Sequence, residues 1–190
     1  PAYKDSGVEW LGEIPEGWRI SKLRFISTFG RGLNITKANL KESGIPCVSY
    51  GEVHSKYGFE VNPSVNDLHC VDEEYLKTDS KSLLEKGDLI FADRSEDIEG
   101  SGNFTQLVSD DVLFAGYHCV VVRPTKENFY RYLAYLCDSV EYRMQIRNSV
   151  KGVKVFSITQ QILKDSNVWI PSHKEQQTIA QFLDYETAKI

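Results

Sequence analysis

The chain contains 190 residues, of which 41% are hydrophobic and 26% are charged, the composition of an ordinary globular protein that can bury a core. Its apolar runs are only a few residues long, so the sequence predicts no membrane-spanning helix, and its first ten residues show no secretory-signal pattern. The net charge of −5 argues against a protein that binds nucleic acid through a generally basic surface.

The charge is unevenly distributed along the chain. Residues 60–111 contain 14 Asp or Glu and only 4 Lys or Arg. Residues 143–164 contain no acidic residue, and their basic residues are Arg143, Arg147, Lys151, Lys154 and Lys164. We therefore expect any contact with a polyanion to be local to such basic regions.

The first two thirds of the chain predict mainly strands. The segment "GIPCVSYGEV" (44–53) predicts a strand, and "DEEYLKT" predicts a short helical turn. In "KGDLIFADR" a Gly-Asp turn precedes a buried strand from Leu89 to Ala92. The segment "FAGYHCVVVRP" (114–124) is rich in β-branched and aromatic residues and predicts a strand that stops at Pro124.

The last third of the chain predicts helices. Apolar residues recur at helical spacing between residues 128 and about 148. Ser157 and Gln160 have capping-box spacing and predict the start of a second helix, and "SNVWIP" predicts a short strand. Ser172 and Glu175 form another capping-box pattern, which starts a terminal helix. Strands and helices without regular β-α-β alternation predict an α+β fold.

The sequence contains no recognisable catalytic motif. It has no phosphate-binding Walker loop, no G-x-S-x-G nucleophile motif and no H-E-x-x-H zinc motif. Its four cysteines, none in a C-x-x-C pair, are predicted to be buried apolar residues in a reducing compartment. We therefore predict no catalytic residue, no cofactor and no metal ion.

Two alternatives remain open. The carboxylates between residues 88 and 99 are predicted to form a solvated acidic loop, but they are also the residue type that a Mg²⁺-dependent nuclease requires. A loop that reads cytosine through its N4 amine is a further interpretation of the same segment. The 3 Trp, 10 Tyr and 9 Phe residues are mostly expected in the core, yet they leave a carbohydrate- or peptide-binding module as a second alternative function.

Both ends of the chain resemble the specificity (S) subunits of Type I restriction–modification systems. The N-terminal segment "YKDSGVEWLGEIPEGWRISKLRFI" is similar to the family's opening motif, and the C-terminal segment "ILKDSNVWIPSHKEQQTIAQFLD" is similar to its Ile-Pro, Glu-Gln and Ile-Ala-x-x-Leu-Asp run. Between them, "GIPCVSYGEV" and "LEKGDLIFADRS" resemble two of its strands. The matching N-terminal residues are Gly7, Val8, Trp10, Gly12, Ile14, Pro15, Trp18 and Leu23.

The resemblance implies a fold and a domain division. Residues 1–171 would form a target recognition domain, a mixed β-sheet with peripheral helices, and residues 172–190 would begin a truncated spacer helix that forms a coiled coil. The chain would then be an N-terminal fragment or a naturally short half-subunit. The apolar seam of the spacer helix, facing a partner helix, would consist of Ile179, Phe182, Leu183 and Ile190.

The resemblance also implies a function without chemistry. Such a subunit binds a bipartite target in double-stranded DNA through the major groove, and this chain would recognise one half of it. The chain would thereby direct the methyltransferase (M) subunits and, through them, the restriction (R) subunits. Its further partners would be the second recognition domain and spacer helix of the same subunit. We expect a prokaryotic cytoplasmic protein that does not associate with membranes.

The residue types in the intervening loops suggest DNA contacts. Predicted phosphate contacts are Arg31, Lys37, Lys151 and Lys154. Predicted base contacts are Asn34, Tyr50, His54, Lys56, Arg94, Ser95 and Asn103. The two asparagines would pair with adenine and Arg94 with guanine, although Arg94 also has Asp93, Glu96 and Asp97 nearby as ion-pair partners.

Overall fold

The fold is that of a computed structural model, which describes residues 2–150, 152 and 154–189. Its strands are β1 (Tyr3–Asp5), β2 (Glu13–Pro15), β3 (Arg19–Lys22), β4 (Ser27–Arg31), β5 (Ile45–Val48), β6 (Glu60–Val61), β7 (Cys70–Val71), β8 (Leu89–Ala92), β9 (Arg94–Ser95), β10 (Phe104–Leu107), β11 (Phe114–Ala115), β12 (Cys119–Pro124), β13 (Phe156–Ser157) and β14 (Asn167–Ile170). Its α-helices are α1 (Tyr50–Ser55), α2 (Tyr75–Thr78), α3 (Tyr130–Asp138), α4 (Val140–Ser149), α5 (Gln160–Asp165) and α6 (His173–Thr187).

The predicted mixed α+β fold is confirmed. A central sheet has the strand order β4-β12-β8-β10-β6, antiparallel except for the parallel pair β10 and β6. A smaller sheet, β11-β5-β7, lies beside it. None of the helices in the described part of the chain has both the length and the apolar character needed to cross a bilayer.

The middle of the central sheet is buried on both faces. Leu89 and Phe91 of β8 pack in one hydrophobic cluster with residues of α3, whereas Ile90 and Ala92 pack in another with Val48 and α1. Side chains alternate between the two faces of a strand, so a strand covered on both sides must be apolar throughout. This explains why the sequence "LIFA" is apolar throughout. It also explains why the strand predicted from Leu89 to Ala92 has the bounds found in the structure.

Three of the other predicted elements end early or are interrupted. The strand predicted over 44–53 ends at Val48, because Glu52 accepts a hydrogen bond from the Ser49 backbone N–H (2.9 Å) and α1 begins at Tyr50. The strand predicted over 114–124 is interrupted between β11 and β12. The helix predicted over 128–148 is broken at Ser139, whose hydroxyl caps α4 by accepting from Tyr142 N.

The helix predicted from Ser157 begins later. Ser157 belongs to β13, and Thr159 is the N-cap of α5, its hydroxyl accepting from Ile162 N at 3.2 Å. By contrast, the strand predicted in "SNVWIP" is present as β14, and Ser172 caps α6 as its spacing with Glu175 predicts. The predicted start was wrong because Ser157 and Thr159 both precede the helix, and the capping-box spacing pointed to the first of them.

The N-terminal and C-terminal segments form one structural unit. Strand β3 pairs antiparallel with β14. The rings of Trp10 and Trp169 meet edge to face at 6.3 Å, and Trp18 Nε1 donates to Glu175 Oε1 at 3.0 Å. The two sequence segments that resemble one family at either end of the chain therefore contact each other.

Helix α6 packs along α3. Gln176 and Ala180 are buried, and Asp184 accepts hydrogen bonds from Arg131 Nε and from the Tyr135 hydroxyl, both at 2.7 Å. Of the predicted seam, Ile179 packs against the core of the domain itself, Leu183 is half-buried and Phe182 is 61% exposed. Ile190 lies outside the described residues.

A buried ion pair joins β8 to β12 at the edge of the sheet near α3. The Asp88 side chain is 1% exposed and receives three hydrogen bonds from Arg123: Nε to Oδ1 at 2.9 Å, Nε to Oδ2 at 3.2 Å and Nη2 to Oδ2 at 2.7 Å. Burial raises the pKa of Asp88, while the Arg123 guanidinium opposes that rise. Arg123 therefore compensates a carboxylate that would otherwise be isolated from water.

We expect Arg123→Met to lower the free energy of unfolding by about 3 kcal/mol, because it leaves the Asp88 carboxylate buried and unpaired. Urea denaturation measures this loss. The matched control is Lys86→Met, because the Lys86 ammonium reaches the exposed Asp110 only at 3.5 Å. The control should cost less than about 1 kcal/mol. Equal losses in the two variants would contradict the role given to Asp88.

Candidate nucleic-acid interface

One edge of the central sheet collects most of the predicted DNA contacts. Strands β4 and β8 end at this edge, whereas β12 and β10 begin there, as the pairs Arg31–Val120, Ala92–Cys119 and Phe91–Phe104 show. The loops that follow or precede these strands must therefore lie side by side. We call this surface the loop edge and define it as residues 31–34, 50–56, 93–103 and 115–118.

The segment 115–118 joins the loops of this edge. The backbone N–H of Leu33 donates to Ala115 O at 2.8 Å, and that of Tyr50 donates to Tyr117 O at 3.3 Å. The backbone N–H of Asp93 donates to His118 O at 3.0 Å. Segments that are far apart in sequence are thus held together by main-chain hydrogen bonds, which do not depend on their side chains.

A cleft of about 700 Å³ opens on the loop edge between α1 and the loop that follows β8. Five of the seven predicted base contacts line it, together with acidic residues of the same loop. The predicted residues in the cleft are Tyr50, His54, Arg94, Ser95 and Asn103. The acidic residues are Glu96, Asp97 and Glu99.

His54 and Asn103 are linked in a chain of hydrogen bonds. Arg143 Nη1 donates to Asn103 Oδ1 at 3.0 Å, so the amide Nδ2 faces His54 and donates to its Nδ1 at 3.1 Å. His54 Nε2 therefore carries the proton and donates to the Arg94 carbonyl at 2.7 Å. Both ends of the Asn103 amide already have a partner within the protein. Only the second Nδ2 hydrogen and the second Oδ1 lone pair of Asn103 are left to bond an adenine.

Arg94 and Ser95 differ in their access to the cleft. The Arg94 side chain is 55% exposed, and its Nε lies 3.8 Å from Asp93 Oδ1, a distance at which the ion pair is loose. Ser95 is 6% exposed and its Oγ lies 3.5 Å from Asp97 Oδ1. In this conformation Arg94 is available to a ligand, whereas Ser95 faces the interior of its own loop.

The other predicted contacts surround the cleft. Arg31 and Asn34 line a neighbouring pocket of about 460 Å³ with Lys81 and Gln160. Lys37, on the 3-10 turn Lys37–Asn39, and Lys154 are exposed. Lys56 is exposed but donates to the Asp67 carbonyl at 2.7 Å. Lys151 lies outside the described residues.

The basic stretch 143–164 is used largely within the protein. Arg143 pairs with Asp138 (Nη2 to Oδ1, 2.7 Å), and Arg147 Nη2 donates to the Glu99 carbonyl at 2.6 Å. The Lys164 ammonium lies 5.3 Å from the centre of the Phe29 ring. Of the described basic residues in this stretch, Lys154 is therefore the one that remains a predicted contact for a polyanion.

The chain matches the family model described as the Type I restriction modification DNA specificity domain over residues 15–190. The chain belongs to this family. This specificity domain is 26% identical over 184 residues to the Type I restriction enzyme EcoKI specificity subunit of Escherichia coli K12 and 24% identical to the StySPI specificity subunit of Salmonella potsdam. Each comparison covers 94% of this chain and 38% of the relative, so the chain spans well under half of their length.

A solved structure has the same fold. The crystal structure of the HsdS subunit from Thermoanaerobacter tengcongensis matches with a TM-score of 0.67 at 14% identity. The match covers 98% of this chain and 40% of that one. The fold is therefore shared, and the family resemblance noted in the two terminal segments is confirmed by the family model over residues 15–190.

The carboxylates between residues 88 and 99 do not form a single site. Asp88 precedes β8 and is bound to Arg123, whereas Asp93, Glu96, Asp97 and Glu99 follow that strand. Five residues of extended chain separate Asp88 from Asp93 by about 17 Å. Among the described residues, no three His, Cys, Asp or Glu side chains are grouped as a metal ion would require. The geometry thus gives the nuclease alternative no support.

Sequence reasoning missed three residues of the loop edge and its support. Tyr117 and His118 lie in the interruption between β11 and β12, and the apolar run that follows them concealed this break. Arg143 was counted in a basic region expected to contact a polyanion, but it reaches across to Asn103. The Gly116 that precedes the tyrosine was the available signal, because a side chain there would collide with Ser49.

We expect Arg143→Met to loosen the loop over residues 96–103, because Asn103 loses the donor that fixes its amide. Amide hydrogen exchange in a peptide covering this loop should accelerate at least about tenfold. The matched control is Arg24→Met, which removes an arginine that pairs with Asp165 on the surface. Exchange in the loop that is equally fast in both variants, or unchanged in both, would show that Arg143 does not hold it.

Proposed function

We propose that this specificity domain reads one half of a bipartite DNA target through its loop edge. The observation that supports this most directly is the convergence of Tyr50, His54, Arg94 and Asn103 from separate segments on one open cleft. A protein that reads base edges needs hydrogen-bonding side chains at such an exposed edge, held by a rigid scaffold. We propose that the loop edge enters the major groove, because that groove is about 12 Å wide and admits an α-helix or a two-stranded ribbon.

The charges of the loop edge suit a division of roles. Asp93, Glu96 and Asp97 disfavour a phosphate at the cleft itself, whereas they can accept from cytosine N4 amines. Phosphate contacts are better placed at the exposed basic side chains around it, Arg31, Lys37 and Lys154, with Lys151 a further candidate. Base contacts then remain with Asn34, Tyr50, His54, Lys56, Arg94, Ser95 and Asn103. Of these, Arg94 is the best placed and Ser95 the least.

The domain would act without chemistry of its own. We propose that methyltransferase subunits bind it and that restriction subunits are recruited through them, in the prokaryotic cytoplasm. Residues 1–171 would be the reading domain and residues 172–190 the start of the spacer helix. The exposed Phe182 side chain is the part of the predicted seam that is most accessible to a second spacer helix, since Ile179 already packs on the domain.

The acidic balance has a consequence for affinity. A chain with net charge −5 and few phosphate contacts should bind DNA weakly alone and with a shallow dependence on salt. The second recognition domain and the methyltransferase subunits would provide the remaining affinity. Tight binding of this chain alone at physiological salt would contradict this part of the proposal.

The decisive experiment is methylome sequencing of cells that carry the full-length subunit with its methyltransferase subunits. We expect a split motif, one half of which changes when residues 1–171 are exchanged for those of a related subunit. An unchanged motif after this exchange would refute the proposed function. Purified chain incubated with plasmid and Mg²⁺ should leave the plasmid intact, which tests the nuclease alternative directly.

Replacing Arg94 with Ala should relax the motif at one position, because a guanine contact contributes roughly 1–3 kcal/mol of discrimination. The His54 bond to residue 94 is accepted by its carbonyl, so the loop should keep its conformation. Methylome sequencing provides the readout. The matched control is Arg19→Ala, an exposed arginine on β3 within the terminal unit. A motif that is unchanged in both variants would remove Arg94 from the reading residues.

Replacing Lys154 or Arg31 with Ala in the assembled enzyme should weaken binding to all sequences alike, because phosphate contacts carry no base information. Each variant should reduce the slope of log K against log salt by about 0.9. Fluorescence anisotropy with a labelled duplex at several salt concentrations measures this slope. The control Lys126→Ala changes an exposed lysine beyond the end of β12, at the opposite edge of the sheet. Its slope should equal that of the unaltered enzyme.

A further inference from the structure

We propose that His118 is a specificity-determining residue whose ring contacts a base edge in the DNA. The inference rests on the proposed function and assigns to it a residue that is not among the predicted DNA contacts. Three independent observations support it: the backbone conformation of His118, the fixed orientation of its ring, and the charge around it.

The backbone of His118 is left-handed, with φ of 55°, the only such non-glycine residue in the described part of the chain. This conformation costs a residue with a Cβ roughly 1–2 kcal/mol and is the ordinary place for glycine. Hydrogen bonds on both sides impose it: Gly116 N donates to Val48 O at 2.7 Å, and the His118 carbonyl accepts from Asp93 N. Strain of this kind is concentrated at functional sites, where the side chain itself is needed.

The ring of His118 is held in one orientation. Its centroid lies 5.3 Å from that of Tyr50 and 5.8 Å from that of Tyr117, both edge to face. Its Nδ1 lies 3.2 Å from Asp93 Oδ1, a buried oxygen that has no hydrogen-bond partner among the described residues. Among the described residues no atom hydrogen-bonds its Nε2, and the side chain is 35% exposed at the centre of the loop edge. A fixed ring whose Nε2 has no partner within the described part of the chain suits a directional contact.

The charge nearby favours a base over a phosphate. Asp93 contacts the ring directly, and Glu96 and Asp97 follow in the same loop. A phosphate that approached Nε2 would meet this negative field, whereas the base edges in the major groove are neutral. The contact should therefore affect which sequence is chosen more than how tightly DNA in general is bound.

The test uses the full-length subunit assembled with its methyltransferase subunits, with His118→Asn and His118→Gly as variants. Both asparagine and glycine accept a left-handed backbone, so the segment should keep its conformation and the thermal midpoint should change little. We expect the methylated motif to become degenerate at one position of one half, with discrimination there reduced roughly tenfold. The matched control His173→Asn, at the exposed start of α6, should leave the motif intact.

Each result is decisive. A motif that stays intact in both His118 variants would overturn the inference, as would an affinity that falls equally for all sequences, since that is the signature of a phosphate contact. A fall in thermal midpoint with an unchanged motif would assign His118 to structure alone. If the unaltered enzyme itself produced no split motif, the proposed function would fail instead, independently of His118.

Discussion

The central constraint on this fold is that β8 is buried on both of its faces. Because Leu89, Ile90, Phe91 and Ala92 are each fully buried, their strand must lie between two hydrophobic clusters. A shift of register by one residue would exchange the two sets of side chains, so the register with β12 and β10 is strongly specified. Since these neighbours run antiparallel to β8, the loops at its C-terminal end are gathered at one edge. The position of the candidate interface thus follows from the packing of the sheet.

Two arginines of α4 contact the acidic loop after β8. Arg143 and Arg147 are one helical turn apart and therefore point in one direction, toward Asn103 and the Glu99 carbonyl. Their positive charges lie beside a segment that would otherwise repel DNA and itself. The same contacts reduce the number of basic groups available to phosphates, so under the proposed function the loop edge would attract polyanions weakly.

How much the sequence could predict depended on how local the determining interaction was. The strand Leu89–Ala92 and the cap at Ser172 were predicted correctly, because an apolar run and a capping pair are local features. The end of β5 at Val48 was missed, since the pattern of apolar residues continues while Glu52 caps a helix. The grouping of Tyr50, Arg94 and Asn103 rests on strand order, which short patterns do not encode. The partnership of Arg143 with Asn103, across 40 positions, was equally beyond reach.

The terminal unit and the loop edge lie at opposite ends of β4. The terminal unit, built from β3 and β14 with Trp10 and Trp169, adjoins the start of β4, because Leu23 N donates to Ser166 O at 3.0 Å just before that strand. The loop edge begins where β4 ends, five residues or about 17 Å further on. Side chains at the loop edge can therefore be exchanged without disturbing the contacts that join the chain ends. Under the proposed function, this separation would permit a change of target sequence without a change of fold.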